Sequence, residues 1–309
     1  MPACTVVIPT YNHADELSES LVSLTAQTFR DWEAFVVDDA STLGDVQAVI
    51  QAHSDKRIHY IRQPENRGLA AARNTGIRAG RAPLVVPFDS DDRLESNFLA
   101  GLLAILDGEA AADCVFPDFA LFGGQTGIEQ YDVADIRTLL RRQWLPGPGC
   151  MYRRTLWERA GGYCEDPVLR AGNEDWDFWL SAAEAGFSAR HLAEPLYQYR
   201  ISPGSMGMRL RSVNYLTREF IFARHRALFD EYGEGATFRA EGYQVSAQAA
   251  YVRGERIRGL QLALRALRFN PRSTQTLGIV ARTVVPGAIA NLARRWVRRF
   301  SLANAGHED

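Results

Sequence analysis

Four short runs in the first part of the chain are apolar and largely β-branched: CTVVIPT (4–10), EAFVVDD (33–39), RIHYIR (57–62) and PLVVPFD (83–89). Runs with so little polar alternation predict strands buried on both faces. Between them, 14–28, 45–54 and 67–80 carry apolar residues at helical spacing, with Leu17, Leu21 and Leu24 on one stripe and Gly80 at the expected C-cap. Strand alternating with helix predicts an α/β fold with an open, mostly parallel sheet covered on both sides.

From about 110 to 200 the pattern is mixed. A further strand is expected near DCVFPDFALF, then a Gly- and Pro-rich loop (LPGPGCMYRR, 145–154), the tract GNEDWDFWLSAAEAG and a strand at PLYQYR. The tract 172–186 reads as a loop turning into a helix, with Asn173 as N-cap and Glu174, Asp175 and Asp177 in the first turn, where acids favour the helix dipole. Past about 205 the chain turns rich in Arg and Ala. Residues 243–273 read as two helices broken near Gly254 and stopped at Pro271, similar to one tetratricopeptide-like hairpin. The segment 279–300 ends in a basic amphipathic stretch, with Arg294, Arg295, Arg298 and Arg299 beside Trp296, Val297 and Phe300. That stretch suits an anionic membrane surface, or else packs on the protein with a solvated basic face.

Composition narrows the picture. With 309 residues, 46% hydrophobic, 23% charged and a net charge of -2, the chain is an ordinary globular one, and its bulk charge does not point to nucleic acid. Lys56 is the single lysine, so nearly all positive charge is arginine, read here as codon bias. Four scattered cysteines without a CxxC pair and a start unlike a signal peptide suggest a reducing, cytoplasmic setting. No run of 18 apolar residues is long enough to span a bilayer.

Ligands of parallel sheets sit outside the carboxyl ends of the strands. Here those ends read PTYN (9–12), DDAST (38–42) and DSDD (89–92), two of them acidic and none glycine-rich. The dinucleotide fingerprint and the P-loop are both absent, so phosphates are not cradled by backbone in the usual way.

Each motif has a chemical reading and a plainer one. Asp89, Asp91 and Asp92 repel one another, and an oxygen-only cluster suits magnesium or manganese; the plainer reading is a solvated loop capping a helix that begins near Ser96. Magnesium takes few protein carboxylates and completes its shell with phosphates, so the expected substrate is a nucleotide held through the ion. Asp38 or Asp39 can accept from a base N–H beside Tyr11 as a stacking face, or merely cap a turn. Arg73, in ENRGLAAARNTGIRAG, can meet a diphosphate or a base edge, or face solvent. Asp175, walled by Trp176 and Trp179, can take a proton from an acceptor hydroxyl, or serve only the helix dipole.

VVIPTYN, DDAST, NRGLAAARNTGI, FDSDD and NEDWDFWL, in that order, resemble family 2 inverting glycosyltransferases of the GT-A fold over residues 4–206. The resemblance implies a GT-A, Rossmann-like catalytic domain at 1–206 with an α-helical region at 207–309. It implies a nucleotide-sugar donor, usually UDP-linked, with Pro9, Thr10, Tyr11 and Asp39 at the uridine and Arg73 near base and diphosphate. Asp89 and Asp91 match the DxD pair around Ser90, with Asp91 the direct metal ligand, Asp89 near ribose and metal, and Asp92 in support. Asp175 matches the base and Glu174 its neighbour. Arg200 keeps a place near the diphosphate, while Ser202 stands where many relatives carry a His.

The expected activity is metal-dependent transfer of a hexosyl or N-acetylhexosaminyl group to a glycan, lipid-linked or protein acceptor. It belongs to surface polysaccharide or glycoconjugate synthesis, with Mn2+ or Mg2+ as cofactor and possible peripheral contact with the inner membrane face. A single carboxylate outside the acidic loop suits one displacement rather than two. The alternatives are a silent nucleotide-sugar-binding scaffold, or a nucleotidyltransferase, against which PTYNHADE lacks a glycine-rich phosphate loop.

Overall fold

The computed structural model describes residues 1–133, 135–202, 207 and 210–284. The chain forms two units, Met1–Met206 and Gly207–Asp309. The first opens with β1 (Cys4–Thr10), α1 (Ala14–Thr25), β2 (Trp32–Asp38), α2 (Val46–His53), β3 (Ile58–Arg62), α3 (Leu69–Ala79) and β4 (Leu84–Pro87). There follow β5 (Arg93–Leu94), α4 (Phe98–Gly108), β6 (Cys114–Gly123), β7 (Gly127–Glu129), α5 (Ile136–Arg141), β8 (Met151–Arg153), α6 (Arg154–Arg159), α7 (Glu174–Glu184) and β9 (Ala189–Ile201).

One sheet joins the strands in the order β3-β2-β1-β4-β8-β6-β9-β5, with β7 paired to β6. The first four strands run parallel, as their unalternated sequences predict. Beyond β4 the sheet is mixed: β8 runs antiparallel to β4 and β6, and β9 parallel to β6. Both faces are covered. Leu17, Leu21 and Leu24 of α1 share a buried core with Val6, Ile8, Val36 and Val86. On the opposite face α3 approaches so closely that a Cβ at Gly76 would lie 2.5 Å from Val7 Cγ1.

Gly80 does follow α3 directly, yet its φ is -75°, so it is not the left-handed cap that its position suggests. It is required by space instead, because a Cβ there would lie 2.3 Å from Thr5 Cγ2. Asn173 precedes α7 as expected, in the left-handed region at φ 70°, and makes no side-chain cap hydrogen bond.

The second unit is helical: α8 (Asn214–Arg224), α9 (Arg226–Tyr232), α10 (Gly235–Val252), α11 (Arg256–Phe269) and α12 (Thr274–Val284). The break between α10 and α11 falls at Gly254, whose φ of 79° favours glycine. Tyr243, Ala247 and Ala250 pack there against Leu262, Ala263, Ala266 and Ile279. Of the basic stretch 279–300, residues 285–300 lie outside the described residues.

Candidate functional site

The carboxyl ends of β1, β2 and β4 bring the three predicted motifs to one edge of the sheet. The loops after β1 and β2 are tied together: Asn12 N–H donates to Ser41 Oγ at 2.9 Å, and Asn12 Oδ1 accepts from the N–H of Thr42 at 2.8 Å and Leu43 at 3.0 Å. Asn12 and Ala40 both sit at positive φ, 61° and 60°, a strained geometry that often marks binding loops. Pro9 and Thr10 are buried in β1, whereas Tyr11 is 42% exposed and presents its ring.

Asp38 and Asp39 divide their work. Asp38 is fully buried and accepts from Ser41 N–H, Tyr60 O–H and Arg62. Burial alone would raise its carboxyl, but these donors hold it below the ordinary range. Asp39 accepts the N–H of Arg67 and of Gly68, each at 2.8 Å, and so fixes the loop before α3. Each of its oxygens keeps a lone pair for a further donor.

The repulsion among Asp89, Asp91 and Asp92 is answered at two of the three, by different devices. Arg73, 1% exposed on α3, donates through Nη2 to Asp89 Oδ1 at 2.9 Å and through Nη1 to Glu174 Oε1 at 2.8 Å. Neither a solvent-facing charge nor an arginine open to a diphosphate, it is a buried cation joining the acidic loop to α7. Burial disfavours the charge on Arg73, but Asp89 and Glu174 outweigh that and hold it protonated. Asp92, also buried, accepts Tyr197 O–H at 2.6 Å and Arg200 N–H at 2.7 Å. Burial, with Asp89 and Asp91 nearby, still pushes its carboxyl well above the usual range. Asp91 has no ion pair among the described residues, and burial together with Asp89 raises its carboxyl. Ser90 is buried, its carbonyl accepting from Ser20 Oγ of α1 at 2.8 Å.

Asp175 stands at the first turn of α7, partly exposed. Its Oδ1 accepts Trp176 N–H and its Oδ2 accepts Gln143 Nε2–H, both at 2.8 Å. The loop before β8 presses against it: a Cβ at Gly147 would lie 2.3 Å from Asp175 Oδ2. Trp179 Nε1–H donates to Pro146 O at 3.1 Å and fastens the same loop to α7. Glu174 is buried, and burial followed by the charge of Asp175 pushes its carboxyl up to about 7.

Arg200 leaves β9 with Nε 2.6 Å from Asp91 O and Nη2 2.5 Å from Glu19 Oε2, its guanidinium lying over the Phe122 ring. Its charge is engaged by Glu19. Ser202 closes the described stretch after β9.

Comparison with known proteins identifies the domain. Residues 5–155 match the family described as Glycosyl transferase family 2. Those residues form a domain of that family. Among family 2 relatives, TuaG of Bacillus subtilis, named for teichuronic acid biosynthesis, is 28% identical over 217 residues, covering 66% of this chain and 81% of its own. The succinoglycan biosynthesis protein ExoO of Rhizobium meliloti is 29% identical over 231 residues, 68% of this chain and 64% of its own. Solved structures place the fold as GT-A-like. TarS 1–349 of S. aureus, in complex with UDP, superposes with TM-score 0.60 at 20% identity over 91% of this chain and 89% of that one. The mannosyltransferase PcManGT of Pyrobaculum calidifontis, in complex with GDP-Man and Mn2+, gives 0.59 at 21% over 96% and 83%.

Within this family 2 domain, no group of three His, Cys, Asp or Glu side chains forms a metal cage among the described residues. The donor set that remains, Asp91 and the free Oδ2 of Asp89, is oxygen-only and carries excess negative charge. It fits a hard divalent ion that completes its shell with phosphate, and not a zinc site. Two site residues escape a reading of the sequence by motif. Tyr197 lies on the strand of LYQYR, on a face that the alternation of that run could have revealed. Nothing near Gln143 marks it.

Proposed function

We propose that the protein is a metal-dependent inverting glycosyltransferase that moves a sugar from a UDP-sugar to an acceptor hydroxyl in the synthesis of a surface polysaccharide or glycoconjugate. The observation that carries this reading is the Arg73 bridge, which builds Asp89 of the acidic loop and the Glu174–Asp175 pair into one site. The UDP complex of TarS, the Mn2+ in PcManGT and the polysaccharide roles named for TuaG and ExoO support it.

In this reading Tyr11 stacks on the base, Asp39 accepts its N–H, and Pro9 and Thr10 shape the floor beneath it. Asp175, oriented by Gln143 and Trp176 N–H, takes the proton of the acceptor hydroxyl as that oxygen attacks the anomeric carbon opposite the departing diphosphate. Asp91 and Asp89 would hold a divalent ion, and the chemistry it would supply there is neutralisation of charge on the leaving diphosphate. Arg73 and Glu174 hold the two carboxylate groups in mutual position. Arg200 stands beside Asp91 as the side chain able to turn from Glu19 to the diphosphate. The acceptor is a glycan, lipid-linked or protein hydroxyl. Among the described residues no helix is long and apolar enough to cross a membrane. The setting we propose is cytoplasmic, with peripheral contact at an anionic membrane.

The test is a panel of UDP- and GDP-sugars assayed for nucleotide release with and without manganese. Metal-dependent release from a UDP-sugar is expected. Neither release nor binding across the panel would favour a silent scaffold and overturn the proposal.

A further inference from the structure

Gln63 is 4% exposed, and neither Nε2 nor Oε1 of its side chain has a hydrogen-bond partner among the described residues. A buried primary amide with both ends unmatched is rare, because desolvation penalises each group that loses water without gaining a partner. Folding alone has no reason to keep one. A glutamine in that state therefore points to a partner that the free chain does not supply.

Its place in the fold indicates which one. Gln63 is the first residue past β3, and its N–H donates to Asp38 O at 2.8 Å. The parallel register pairs Asp38 with Arg62, so Asp39 and Gln63 are neighbours one step beyond the ends of their strands. They follow on the strand face opposite Asp38, Tyr60 and Arg62, which bond one another. The segment that leaves Gln63 returns to Asp39 within five residues, through the N–H of Arg67 and Gly68. Asp39 and Gln63 thus bracket one short, exposed loop at the nucleotide end of the sheet.

We propose that Gln63 is a specificity-determining residue that reads the nucleobase together with Asp39, the pair meeting the imide edge of a pyrimidine. Such an edge presents an N–H flanked by carbonyl oxygens. Asp39, an obligate acceptor, takes the N–H, and the Gln63 amide donates to the adjacent carbonyl. The inference rests on the UDP-sugar reading above and adds to it a residue outside every motif noted in the sequence.

The role predicts an unusual pair of effects for Gln63→Met, which keeps the length of the side chain and removes both unmatched groups. Thermal unfolding of the free protein should shift upward by about 3 °C, since a penalty is removed. UDP binding, measured by calorimetry in the presence of Mn2+, should weaken about tenfold, the factor carried by one neutral hydrogen bond. Binding of inorganic pyrophosphate with Mn2+, which lacks a base, should be unchanged. Gln63→Glu, which sets an acceptor against the carbonyl, should weaken UDP further and spare pyrophosphate. Unchanged UDP affinity in both variants, or a lowered midpoint with equal losses for UDP and pyrophosphate, would make Gln63 structural and overturn the inference. Wild-type protein run alongside separates the two claims: if it binds no nucleotide, the UDP-sugar reading falls and takes this one with it. If it binds UDP and the variants match it, only this one falls.

Discussion

Arg73 Nη1 lies 2.8 Å from Glu174 Oε1, joining residues 101 positions apart in sequence. The same guanidinium reaches Asp89, so one buried cation serves two carboxylates from opposite sides of the site. Removing it leaves both without a partner, and breaking a buried pair from one side costs about 3–5 kcal/mol. Arg73→Met should lose stability of that order in urea unfolding, and activity with it. Arg73→Lys should not restore activity, because a single ammonium cannot present the planar fork that spans both acids.

Glu174 gives the fold a pH dependence of definite sign. Burial and Asp175 push its carboxyl from the ordinary 4.5 up to about 7. Between those values the native state holds a proton that the unfolded chain has released. The stability this group contributes is full below about pH 4.5 and is lost as pH rises through 7. Urea midpoints taken from pH 5 to pH 8 should therefore fall with pH more steeply for the wild type than for Glu174→Gln, whose amide oxygen still accepts from Arg73.

Turnover should depend on Asp175 far more than donor binding does. A positioned general base contributes about 10² to 10⁴ in rate, so Asp175→Asn should lower kcat within that range while KM for the donor stays near its wild-type value. Near wild-type turnover in that variant would remove Asp175 from the role. Gln143→Ala frees the carboxylate to turn without removing it. It should cost about tenfold in kcat, again with little change in donor KM.

Gly147 tests the same carboxylate from the other side. A methyl group there would press on Asp175 Oδ2 at 2.3 Å, and relief requires moving either the loop or the acid. Gly147→Ala should destabilise by about 1–3 kcal/mol, the usual range for overpacking. Its kcat should fall at least as far as that of Gln143→Ala, as initial rates at saturating donor would show.

The first four strands and three helices were legible because each is a long unbroken pattern: 4–10 is β1 to the residue, and 45–54 contains α2. Short elements such as β5, β7 and β8 carry too few residues for a period to show. The acidic clusters were legible as chemistry, since like charges packed together demand an answer. What could not be read was which cation supplies it. Arg73 comes from a helix whose own pattern does not say that position 73 is buried, and Glu174 comes from a hundred residues further on. The roles of Asp91 and Asp92 diverge because Tyr197 O–H and Arg200 N–H reach the carboxylate of Asp92, whereas Arg200 meets Asp91 only at its backbone carbonyl.

That return has a consequence for the order in which the protein is made. Asp92 receives its two donors from residues 105 and 108 positions later. A chain emerging from the ribosome can lay down β1 to β4 early, with Arg73 already at hand for Asp89 and Ser20 for the carbonyls of Ser90 and Asp92, yet the Asp92 carboxylate still lacks both of its donors. The loop can mature only after Arg200 has been synthesised, so a segment made about a hundred residues before β9 ends is among the last to take its working shape.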